Sequence, residues 1–116
     1  MNRVEKIVAR LEKSSPEGAA ICRRAWASNQ HKHNELCTIL QPSGYGYVAA
    51  HDGKHRGPDF VMAELAKAAA GGYNILLNIG PRPDGSVPEE DVRTLREVGR
   101  RIRADGWPEA ETAREG

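Results

Sequence analysis

Tyr73-Asn74-Ile75-Leu76-Leu77-Asn78-Ile79-Gly80-Pro81 is the stretch that decides the architecture. Ile75, Leu76, Leu77 and Ile79 form a nearly continuous apolar run, and a strand without polar alternation is expected to be covered on both faces, as in a parallel sheet. Helical signals flank it on both sides. Upstream, Pro58 suits a first helical turn and the charge of Asp59 suits a helix N-terminus. Phe60, Val61, Leu65 and Ala68 then share one face, and Gly71-Gly72 ends the helix. Downstream, Pro81 to Pro88 reads as a loop with Asp84-Gly85 as its turn. Pro88 opens a last helix whose first turn holds Glu89, Glu90 and Asp91 and whose end holds Arg100, Arg101 and Arg103. Both charge clusters match the helix dipole, Val92, Leu95, Val98 and Ile102 make the expected buried stripe, and Gly106 is the stop.

The N-terminal half reads less sharply. Val4, Ile7, Val8 and Leu11 predict an amphipathic helix, broken by Ser14-Ser15-Pro16-Glu17-Gly18. Ala19 to Cys22 is read as a short buried strand ending at Arg23 and Arg24, and Leu36 to Leu40 as a second. Gln41 to Gly57 is a long glycine-rich loop. The predicted order is helix, strand, strand, helix, strand, helix, an α/β pattern with about three parallel strands and flanking helices. Three such strands leave both sheet edges open, so the pattern is coherent but incomplete.

Composition narrows the function classes. Lysine and arginine number 17 against 16 acids, for a formal charge of +1, which does not favour nucleic acid or an anionic membrane. No apolar run approaches the roughly 20 residues of a membrane span. Met1 to Lys13 lacks the apolar core of a signal peptide, so a soluble, cytosolic chain with buried thiols is the simplest expectation. Cys22 and Cys37 have neither disulfide-framework nor zinc spacing. His31 and His33 form a His-x-His pair beside Lys32, with His51 and His55 further on. No matching cysteine or carboxylate constellation accompanies them, so solvated loop histidines and no metal or other cofactor are expected.

The stretch from Tyr73 through Arg82-Pro83-Asp84-Gly85 and Leu95-Arg96-Glu97-Val98-Gly99 to Gly106 resembles the last strand and helix of the α-L-fucosidase catalytic barrel. Asn34-Glu35-Leu36-Cys37 and Tyr45-Gly46-Tyr47 are similar to a Trp-Glu-x-Cys strand and a Trp-Gly-Tyr element of that family, with both tryptophans replaced. The resemblance implies a partial (β/α)8 TIM-like barrel over residues 1–108, followed by a polar tail, 109–116, expected to be disordered. A full barrel needs roughly 250 residues.

The resemblance also implies a chemistry: retaining hydrolysis of terminal α-L-fucose from oligosaccharides or glycoconjugates. Retaining enzymes hold two carboxyl groups about 5–5.5 Å apart. The family nucleophile is an aspartate in a Trp-Phe-Asp-Gly-like context on an earlier strand, and nothing in these 116 residues matches it. The chain alone is therefore expected to be inactive. Glu35 is the candidate acid/base or sugar-binding carboxylate, Arg24 a candidate for a sugar hydroxyl, and Tyr45 and Tyr47 candidate pocket walls. The alternatives are a non-catalytic subunit or interaction module that completes a split barrel with a missing N-terminal half, and a decayed gene remnant.

Overall fold

The computed structural model describes residues 3–109. They fall into two compact units that meet in sequence at Asn34 and Glu35. The first is a helical pair, α1 (Arg3–Ser14) and α2 (Pro16–Ser28). The second runs β1 (Asn34–Ile39), a short 3-10 turn at Ala49–His51, α3 (Pro58–Gly71), β2 (Tyr73–Asn78) and α4 (Glu89–Asp105).

The expected strand at Ala19 to Cys22 is a helix. Ser15 caps α2, its hydroxyl accepting the Gly18 N–H at 3.1 Å, with Pro16 in the first turn and Glu17 behind it. The Ser-Pro-Glu run that reads as a breaker is thus a helix start. Ala19 is fully buried but Ile21 is exposed, which an α2 packed on α1 by one face requires. Glu12 of α1 accepts a hydrogen bond from Arg23 of α2. Among the described residues the sheet therefore has two strands, β1 and β2, not about three.

In the second unit, α3 leads from β1 back to β2, giving a parallel β-α-β unit. The α3 boundaries follow the expected signals: Pro58 in the first turn, and Gly72 at the C-cap with φ of 70°, a conformation glycine adopts without penalty. Leu40, Val61 and Val98 form the buried centre, joined by Phe60, Met62, Leu65, Leu77, Ile79 and Ile102. The Leu40 N–H donates to the Asn78 carbonyl at 3.3 Å, which brings Leu40 beside Ile79, both on the core face. Counting back by twos puts Glu35 and Cys37 of β1 with Asn74 and Leu76 of β2 on the other face. All four are exposed, Leu76 at 51%.

This face differs from the two-sided cover that the apolar run predicts. Cys37 and Cys22 are both exposed free thiols rather than buried ones. The α4 stripe is also rotated. Asp91, Thr94 and Val98 are buried while Leu95 is 40% exposed, because Asp91 is drawn inward by His55. Along α3 and α4, Arg101 donates to Asp59 at 2.7 Å and to Glu97 at 3.1 Å, and hydrogen bonds from Arg100 and Arg101 hold the Glu97 carboxyl down at about 2. Residues 110–116, nearly all of the expected polar tail, lie outside the described residues. Among the described residues no helix is long and apolar enough to cross a membrane.

Two leucines test this burial pattern. Leu40→Ala is expected to cost roughly 2–5 kcal/mol, while Leu76→Ala stays within about 0.5 kcal/mol, read from urea denaturation midpoints.

Candidate functional site

The C-terminal ends of β1 and β2 carry the loop from Gln41 to Gly57. In parallel α/β units this end of the strands is where ligands are met. Gln41 is fully buried, and its side chain takes the place of a strand neighbour. Its amide donates to the Gly46 carbonyl and its Oε1 accepts the Val48 N–H at 3.1 Å. From β2, the Asn78 amide donates to the Tyr45 carbonyl at 2.9 Å. Three backbone groups between Tyr45 and Val48 are thereby held by strand-end amides.

Gly80 makes this approach possible. A Cβ there would lie 2.5 Å from Gln41 Nε2, 2.8 Å from the Tyr47 backbone nitrogen and 2.9 Å from the Gly46 carbonyl carbon. Tyr45 is 60% exposed, with nothing but its backbone anchored. Tyr47 is half-buried: its hydroxyl donates to Asp52 at 2.8 Å and the Arg82 guanidinium lies 5.8 Å from its ring centre.

The far end of the loop is tied to α4 and β1. Both Glu90 oxygens accept loop amides, from Gly53 at 2.6 Å and His55 at 2.9 Å. The His55 ring is buried and its Nδ1 lies 2.7 Å from Asp91 Oδ1, also buried. Arg56 donates from its backbone to the Leu40 carbonyl at 2.7 Å and from its side chain to the Ile39 carbonyl at 3.1 Å. Its guanidinium stacks 4.5 Å over Phe60. Beside this tie, Asp52, Glu90, Arg82, Arg93 and Glu97 line an open cleft of about 600 Å³.

The structure brings Tyr45 and Tyr47 together with Gln41, Asn78 and Gly80. It does not bring Glu35 to them. Glu35 is the second residue of β1, exposed, and about 13 Å of strand separates it from Ile39 at a rise of about 3.3 Å per residue. Arg24 lies exposed on α2 in the first unit, so it is not at a strand end. His55 departs from its expected solvated state through its Asp91 partner. Asp84 is turn chemistry as expected: its Oδ1 accepts both the N–H and hydroxyl of Ser86, which lower its pKa.

Gln41, Glu90 and Asp91 carry no motif in the sequence. Only the position of Gln41 directly after an apolar run, at a strand end, could have marked it. Glu90 and Asp91 are masked by the dipole reading of an acidic first turn, which explains them without any partner.

A family model described as alpha-L-fucosidase matches residues 10–106. The chain belongs to the α-L-fucosidase family. Among solved structures it is similar to α-L-fucosidase isoenzyme 1 from Paenibacillus thiaminolyticus, at 36% identity and a TM-score of 0.57. That likeness covers 62% of this chain but only 17% of the fucosidase's own length. No curated protein sequence matches.

Gly80→Ala tests the close approach at this end. It is expected to destabilise the chain by roughly 1–3 kcal/mol, since the nearest atoms are partly backbone and cannot swing away. Thermal unfolding followed by circular dichroism reads the effect, and an unchanged midpoint would mean the loop is not clamped here.

Proposed function

We propose that this chain is the closing β-α-β-α segment of an α-L-fucosidase catalytic barrel, and that it has no hydrolytic activity by itself. The observation that carries the reading is the bare sheet face formed by Glu35, Cys37, Asn74 and Leu76. This face is open at those four positions, although Ile39 further along it is buried. A half-apolar face left open in this way belongs to a sheet that expects more wall, and a closed barrel encloses such a face as its interior. The parent reaction in this reading is retaining hydrolysis of terminal α-L-fucose.

Within that barrel, Tyr45 and Tyr47 stand at the substrate end, where tyrosine faces can pack on the apolar side of a fucose ring. Glu35 faces the barrel interior near the opposite end of β1. From there its carboxyl meets the interior wall more readily than the leaving-group oxygen, so a second carboxylate has to come from the remaining strands. The nucleophile aspartate has no counterpart among these residues, and one carboxylate without its partner gives no double displacement.

The bare face also favours a reading in which a separately made upstream segment completes the barrel. One experiment addresses both. The purified chain is assayed with an aryl α-L-fucoside, alone and after co-expression with the upstream part of a family member's barrel. No turnover is expected from the chain alone, and a soluble, active complex from the pair. Turnover by the chain alone that Glu35→Gln abolishes would contradict the inactivity, and failure of the pair to associate would contradict completion in trans.

A further inference from the structure

The loop that reaches α4 holds an arrangement unrelated to sugar hydrolysis. We propose that Asp52, His55 and Glu90 bind a divalent transition-metal cation of the zinc class.

One ligand atom from each of these residues lies within 4.8 Å of the other two. Acidic clusters are common at protein surfaces, and proximity alone would carry nothing. The independent observation is the state of His55. Its ring is 1% exposed, Nδ1 is 2.7 Å from Asp91 Oδ1, and Nε2 is buried with no hydrogen-bond partner. The contact between Nδ1 and the Asp91 carboxylate leaves Nε2 as the ring nitrogen still open to a ligand. A buried polar atom left unmatched loses its hydration without compensation, and native structures rarely keep one without a reason.

A cation supplies the reason. Histidines that ligate metals characteristically donate their other ring N–H to a carboxylate, which fixes the tautomer and raises the basicity of the ligating nitrogen. Asp91 stands where such a carboxylate would stand for His55. Glu90 is oriented in a similar way, since each of its oxygens accepts a backbone N–H, and Asp52 is oriented by the Tyr47 hydroxyl. A carboxylate has about four lone-pair sites, so each keeps capacity for a metal.

Ligand atoms around a tetrahedral zinc stand roughly 3.5 Å apart, so the three must close by about 1 Å. Asp52 is at the surface, where an ion can enter and where turning its carboxylate toward the ion trades against one exposed hydrogen bond, from Tyr47. Two carboxylates and an imidazole suit zinc-like ions better than magnesium or calcium, which take oxygen ligands. Three protein ligands leave one position for water.

The test is calorimetric titration of zinc sulfate into the chelator-stripped full chain, with four proteins compared. Wild type is expected to bind saturably, and the His31→Ala/His33→Ala double variant equally well. Asp52→Asn, and Glu90→Gln with an acceptor retained for the loop amides, should each weaken binding at least about tenfold. Circular dichroism confirms that each variant keeps its helices. The proposal is overturned by an absence of saturable binding, by its loss in the double variant, or by wild-type affinity in both Asp52→Asn and Glu90→Gln. None of these outcomes depends on fucosidase activity, so the proposal stands or falls apart from that reading.

Discussion

The constraint on which the second unit depends is one-sided packing of a two-stranded sheet. Leu40, Val61 and Val98 bury the face turned toward α3 and α4. Two parallel strands cannot satisfy their second face or their outer edges alone, because the helices of a β-α-β crossover lie on one side. Leu76 and Cys37 are left in solvent by geometry, although their side chains are the kind that folding usually hides. In the function proposed above, the uncovered face becomes the interior of a barrel. The likeness spans 17% of a solved fucosidase's own length.

The same economy shapes the loop at the strand ends. A loop from Gln41 to Gly57 exposes many backbone polar groups, and here they are matched by a few side chains from the scaffold. Gln41 and Asn78 hold the tyrosine end, while Glu90 and Arg56 hold the other. The tyrosine segment is therefore held by its backbone at the C-terminal ends of the two strands. The buried His55–Asp91 pair ties this loop to the first turn of α4, which links the strand-end surface to the helix that closes the core. The metal proposal extends this role: one ion would join the loop to the helix.

Much of the second unit was legible because several local signals agreed. Pro58, Asp59 and Gly72 bracket α3, Pro88 and Gly106 bracket α4, and the Ile75–Ile79 run marks β2. The first unit misled for a definite reason. Ala19 to Cys22 is too short for its periodicity to separate strand from helix, and the Ser15-Pro16-Glu17 start signal reads equally well as a turn. Burial was legible only where the covering element lies within these residues. Leu76 and Leu77 are identical in composition terms, yet only Leu77 meets the core. Of the site, Tyr45 and Tyr47 came from the family motif, but Gln41, Glu90 and Asp91 act through contacts 5 to 37 residues away that no local pattern encodes.

The β1–β2 sheet keeps one face open at Cys37 and Leu76 while the chain is folded. Modification of Cys37 by a water-soluble maleimide in a Cys22→Ser chain reads that face directly. The account predicts that the folded chain reacts at a rate within roughly tenfold of the urea-unfolded chain, since no local opening is needed. A folded-state rate slower by about a thousandfold or more would place Cys37 under cover, and the open barrel wall would have to be abandoned.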